Sequence, residues 1–280
     1  MRRFTYRGAR RTLGTEGLIA AAFLAVLVAS TTVGPILWSA SPTSTDLLQR
    51  FRMPALDAPL GTDAFGRDLL ARILHGGRIS LSGALIVVAG ETALGMGIGL
   101  LAGAGHRRFD AVLSRVIDAM LALPALVMAL AIVGILGRSL PNVIIALIAT
   151  GWPWYARLYR SLAMQQRAQD YVLAARACGC SPSRIVWRHI GPNIIGPAMV
   201  LSTINLGSAI LGLASMSFLG LGVQDPRAEW GSMVDDARQH FQVHPWPIVV
   251  PGAAIGLTVV AVNLLGDALR DATDPRRRRQ

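Results

Sequence analysis

Few side chains in this sequence could carry covalent chemistry, and their types narrow what is open to it. All 27 basic residues are Arg and none is Lys. A P-loop needs a Lys on the phosphates, so no nucleotide site of that kind is encoded. Schiff-base chemistry is closed for the same reason. Cys178 and Cys180 flank one glycine. A structural metal site takes about four ligands, and His189 alone does not complete one, so no metal site is expected. The two cysteines read as small reduced residues of a cytoplasmic loop. No His/Glu zinc spacing and no nucleophile with a base stands inside an apolar run. Glu91 is the exception among the acids, because it lies well inside such a run. A carboxylate in a membrane is expensive and marks function. Two readings stay open: it meets a cationic group of a substrate on a polar pathway, or it pairs with an Arg or a backbone group as packing. Asn205 is the sharper candidate for lining a pathway, with helix packing as its other reading. It sits in a run rich in Ser, Thr, Gly and Ala from Ser202 to Ser217, and small residues pack helices while polar ones line cavities.

The elements that must position these residues are helices in a bilayer. The 280 residues are 52% hydrophobic and 15% charged, which excludes an ordinary soluble domain and indicates an all-α polytopic membrane protein. Six apolar runs are predicted as spans, at 17–38, 80–105, 116–136, 143–159, 193–219 and 246–267. The first is long enough to cross as a retained helix, where a signal peptide would have a shorter apolar core and a cleavage site. In the second, Gly95, Gly99 and Gly103 recur every four residues and predict a close helix approach. Pro124 predicts a kink in the third. Pro153 interrupts a short fourth. Between the first two spans, Asp63 is expected to cap an amphipathic interfacial helix, with Phe65, Leu69, Leu70, Ile73 and Leu74 on one face and Arg67, Asp68 and Arg72 on the other.

Residues 170–192 form a basic island between apolar runs. Tyr171 to Cys178 reads as a short helix ended by Gly179. Ser181 can cap a second helix with Pro182 at its first position. A helix–Gly–helix hairpin projecting from a membrane protein suits docking onto another protein. Ala174-Ala175, three residues, Gly179, and then Ile190-Gly191-Pro192 resemble the "EAA" cytoplasmic loop of ABC-importer permeases. Leu173 stands where that pattern has Glu, and Gly191 where it has Leu. The run from Leu60 to Leu81 resembles "LGTDxxGRDxxxRxxxGxRxSL", a signature of the C-type permease subunit of dipeptide and oligopeptide importers. Residues 217–233 are similar to "SFLGLGxxPPxxEWGxM", with Asp225 at the first Pro. Arg115 to Pro124 and Asn263 to Pro275 also resemble the family.

The resemblance implies a type I ABC importer permease fold and a role as the permease subunit of an ATP-driven importer of peptides or similar small solutes, nickel among them. It implies that Tyr171, Leu173, Ala174, Ala175, Gly179, Ile190 and Pro192 belong to a coupling loop seated on an ATPase subunit. Its implied partners are a second homologous permease subunit, two ATPase subunits that bind the ATP and Mg, and an extracytoplasmic substrate-binding protein. Three regions follow: residues 1–79, a core at 80–268 with its coupling loop at 160–192, and a basic tail at 269–280. The residues alone leave a channel or an ion- or proton-coupled carrier open as the alternative.

Charge sets the orientation. With six spans, nineteen Arg fall on the side of the termini and the central loop, against eight on the other. The positive-inside rule makes that side cytoplasmic in a bacterial inner membrane. The basicity is therefore a topology signal and not a nucleic-acid footprint, and the Arg tail can also meet lipid headgroups.

Overall fold

The computed structural model of the chain describes residues 6–104 and 107–273. Among them there are helices and no strand, only two isolated bridges, Ala55 with Ala58 and Thr62 with Asp68. Four helices are long and apolar enough to cross a membrane. The first is the Gly14–Leu37 part of α1 (Tyr6–Leu37), which is broken at Gly14 by a φ of +67°. The others are α2 (Leu69–Ala104), α8 (Gly191–Phe218) and α10 (Trp246–Thr273). Helix α1 packs into the bundle through Leu24 and Leu27. The arginines at 2–3 and 276–279, and the tail beyond residue 273, lie outside the described residues.

The expected third span is broken at Pro124 into two helices, which together are long and apolar enough to make a fifth span. α3 (Arg107–Leu121) and α4 (Ala125–Leu136) meet at 86°, with Pro124 as the N-cap of α4. α3 is strongly amphipathic, whereas α4 is apolar all round, and that difference in pattern puts them in different surroundings. The helix at the expected fourth span is not short, but it is not among those apolar enough to cross. α5 (Leu140–Arg167) runs 28 residues with Pro153 inside it. Its start is fixed by Ser139, whose hydroxyl accepts from the Asn142 amide.

The most extensive helix contact is α2 with α5. Here the glycine spacing does what the sequence predicts. A side chain at Gly95 would overlap Tyr155, one at Gly99 would come within 2.6 Å of the Ala156 carbonyl, and one at Gly103 within 2.5 Å of the Arg160 carbonyl. Gly97 faces open space and takes no part. Ile36, Val127, Ile135 and Val260 are exposed on the outside of the bundle.

The 39–79 segment departs from expectation. There is no separate interfacial helix: α2 begins at Leu69 and continues unbroken through residues 79 and 80. Its cap is Asp68, whose carboxylate accepts from the Ala71 amide at 2.7 Å. Asp63 instead ties a loop, accepting from the amides of Phe65 (2.8 Å) and Arg67 (2.9 Å). Gly66, at φ +73°, closes that loop so tightly on the Asp46 carbonyl that no side chain fits. Arg67 and Arg72 do not point to solvent. Their exposures are 3% and 1%, because each finds carboxylates that the sequence places far away.

Candidate functional site

The central hairpin is built as predicted, with shifted ends. α6 (Asp170–Ala177) is followed by Gly179 at φ +77°, and Ser181 caps α7 (Pro182–Arg184). A π-helical stretch, Ile185–Ile190, then feeds directly into α8. Two faces result. Val172 and Ala175 turn inward and pack with Ile185, Val186, Ile190 and Ile194, and with Leu100 near the end of α2. Leu173 (52% exposed), Ala174 and Tyr171 face outward. The Tyr171 hydroxyl donates to Gln166 at 2.8 Å and lies 3.4 Å from Asn193 Nδ2, which joins α6 to both flanking helices. Pro192 is exposed in the first turn of α8, one residue after Gly191. Of the seven hairpin residues singled out by sequence, Ala175 and Ile190 thus meet in the buried cluster. Tyr171 staples, Gly179 turns the chain, and Leu173 and Ala174 are presented.

One exposed residue was missed. Trp187 is 56% exposed on the π-helical stretch, between buried Val186 and Ile190. The buried positions around it carry the signal that it points away from the core. A Trp held at a protein surface is the residue type most often found anchoring an interface.

A second cluster lies at the other end of α2, where α9 (Trp230–Arg238) occupies what the sequence shows only as a polar segment. Glu229, fully buried, caps α9 by accepting from the Ser232 amide at 3.1 Å. Its other oxygen accepts from the Ser80 hydroxyl of α2 at 2.6 Å, and Ser80 in turn accepts from the Trp230 amide. The Trp230 indole donates to the Ile73 carbonyl at 3.0 Å. Arg67 binds Asp63 (2.6 Å), Asp225 (3.0 Å) and Asp236 (2.9 Å). Arg72 lies 3.2 Å from Asp236 and 3.5 Å from Asp63, and also donates to the Pro42 carbonyl. Burial, and then the Asp225 charge, push the Asp236 pKa above its ordinary value against the pull of Arg72 and Arg67.

Glu91 and Asn205 are in neither cluster and are not brought together. The Glu91 carboxylate enters the space left by Gly151 on α5, where any side chain would overlap it, with Tyr155 as its neighbour. Asn205 donates to the Leu201 carbonyl of its own helix at 2.9 Å. Next to Glu91, Thr92 hydrogen-bonds Ser202 at 2.8 Å and so links α2 to α8. Among the described residues no group of three or more His, Cys, Asp or Glu is placed to hold a metal ion.

Comparison with known proteins adds to this geometry. Residues 95–279 match the family described as "Binding-protein-dependent transport system inner membrane component". The chain is similar to the dipeptide transport system permease protein DppC of Alkalihalophilus pseudofirmus, with 43% identity over 86% of this chain and 80% of that one. It is 45% identical to the di/tripeptide transport system permease protein DppC of Pseudomonas aeruginosa, over 78% of this chain and 72% of that one. It is 41% identical to the nickel transport system permease protein NikC of Escherichia coli, over 84% of each. Among solved structures, a chain of the MetNI methionine ABC transporter in an inward-facing conformation is similar in fold, with a TM-score of 0.59 and 16% identity. That match covers 72% of this chain and 97% of the other.

Proposed function

We infer the function from one premise: the chain belongs to the family of binding-protein-dependent transport system inner membrane components. It is the permease subunit of an ABC importer and not an enzyme, and it works with ATPase subunits and a substrate-binding protein. The observation that carries this reading is the family match across residues 95–279, which contains the whole hairpin, α8, α9 and α10.

The substrates are dipeptides, oligopeptides or similar small solutes, with nickel complexes as the neighbouring class, as the names of the relatives suggest. A second homologous permease completes the pathway, and two ATPase subunits hold ATP and Mg. Both termini face the cytoplasm, on the strength of the Arg distribution. The outward face of the hairpin, with Leu173, Ala174 and Trp187, seats on the ATPase subunit. Its inward face, with Ala175 and Ile190, passes the motion to α2 and α8. Leu173 makes an apolar contact there, where a Glu would make a polar one. Asn205 lines the pathway. Glu91 reaches that pathway only indirectly, by holding α2 to α5. A carrier or channel reading draws support from none of these features.

The test is co-expression with candidate ATPase subunits, purification from membranes, and an ATPase assay with loaded binding protein. ATPase subunits that stay bound, with hydrolysis stimulated by a peptide-loaded binding protein, are expected. A chain that purifies alone under all conditions overturns the reading.

A further inference from the structure

Helix α9 sits between two spans in the chain and crosses nothing. Its position invites comparison with a hinged flap over the extracytoplasmic end of a pathway. Its attachments argue otherwise. The first is the Glu229–Ser80–Trp230 set, in which one hydroxyl of α2 both donates to the helix cap and accepts from the first amide of α9. The second is steric. Trp230 is fully buried against Gly76 and Gly77 of α2, where an added Cβ would come within 3.3 Å and 2.7 Å of its ring. Leu27 of α1 and Ile255 of α10 close over the same cluster. The third is electrostatic. Swinging α9 outward would withdraw Asp236 from both Arg67 and Arg72, which are almost wholly buried, and leave Asp63 to be shared by two guanidinium groups, with Asp225 reaching Arg67 alone. Buried charges stripped of partners are among the costliest changes a fold can undergo. Finally, Gly231 lies so close to the Ala214 backbone of α8 that no side chain fits between them.

We propose, building on the permease reading, that α9 is a fixed stop that moves as one body with the extracytoplasmic end of α2 and the 39–68 segment. The extracytoplasmic side then opens by displacement of this whole body against the partner permease, and α9 does not swing. Helix α2 makes that displacement possible from a distance. Its 36 residues extend about 54 Å at 1.5 Å per residue. Leu100, near one end, packs into the hairpin cluster, while Arg72, Gly77 and Ser80, near the other, hold α9. A push on the hairpin reaches α9 through one unbroken helix.

The experiment places a keto-bearing amino acid at Thr45 and at Gln239, both exposed, and spin-labels them, leaving Cys178 and Cys180 untouched. The full transporter, reconstituted in lipid with its ATPase subunits and peptide-loaded binding protein, is measured by pulsed electron resonance without nucleotide and after trapping with ATP and vanadate. The fixed joint requires the same distance distribution in both states. A shift larger than the width of the distribution overturns it. In parallel, Asp236→Asn with Asp225→Asn should lower uptake per ATP hydrolysed at least about fivefold while hydrolysis continues, since a coupling element is loosened. Unchanged uptake per ATP overturns the joint's role. If the unlabelled transporter shows no hydrolysis stimulated by loaded binding protein, the permease reading falls instead, and the label pair still reports whether the joint is rigid.

Discussion

Gly179 allows a clean test of the hairpin, because its surroundings remove the usual ambiguity. Its φ is +77°, and a Cβ added there would meet nothing within 4 Å. The effect of Ala or Asn is therefore backbone strain and not a clash, while Pro also removes the N–H that Gly179 donates to the Arg176 carbonyl. For Ala the left-handed conformation costs about 1–2 kcal/mol, a factor of about 5–30 in the population of the native turn. Asn adopts this conformation more readily and should cost less. Pro cannot adopt it, since its ring fixes φ near −65°. The expected order of retained ATPase subunit on co-purification is Gly, then Asn, then Ala, with Pro abolishing it. Insertion into the membrane should be unchanged throughout, because residues 178–181 are exposed or half-buried outside the bundle. Binding-protein-stimulated ATP hydrolysis should follow the same order. If Gly179→Pro binds and couples as well as Gly179→Asn, the turn does not position the docking face and the reasoning fails.

Trp187→Ala should weaken ATPase-subunit retention by about 2 kcal/mol or more, or roughly thirtyfold, if it is an interface anchor, while membrane yield stays at the wild-type level; an equal loss of both marks a folding role. Leu173→Glu should fold normally, since half of its surface is already exposed, and its effect would be read in docking affinity alone. Gly99→Leu should abolish assembly by prising α2 from α5, whereas Gly97→Leu, facing open space, should be tolerated; equal effects would remove the packing argument. Gly151→Ala should impair the permease by displacing Glu91, and Glu91→Ala in the same chain should recover part of the loss, a coupling that a double-mutant cycle of thermal stability measures. Arg72→Met should cost about 3–5 kcal/mol of stability by leaving Asp63 and Asp236 short of a partner, read as loss of folded protein in detergent on heating.

What could be read from the sequence was what depends on near neighbours. The four-residue glycine repeat, the Ser181-Pro182 helix start and the Gly179 stop are local signals, and each is found where expected. The failures share a different cause. Arg67 and Arg72 are expected on the polar face of an interfacial helix, because unpaired charges belong on a hydrated surface. Their partners Asp225 and Asp236 lie more than 150 residues away, and no periodicity connects them. Asp63 is the expected cap, but it is drawn into the loop that Gly66 closes on the Asp46 carbonyl, and Asp68 caps the helix instead. Helix α9 has nine residues, too few for an apolar stripe to rise above the polar loop around it. Glu91 illustrates the limit most clearly. The sequence identifies a costly carboxylate, but its destination depends on Gly151 in another helix, 60 positions on.

The right-angled elbow before α4 has a consequence for the membrane itself. Twelve residues of α4 give a hydrophobic wall about 18 Å tall, against a hydrocarbon core of about 30 Å. Where α4 stands upright against lipid, chains beside Leu126, Val127 and Ile135, all exposed, would meet an apolar helix little more than half their bilayer's thickness. Mismatch of that size is relieved by thinning the bilayer locally. The permease would then carry a dimple with it, and its activity in vesicles should rise as acyl chains are shortened.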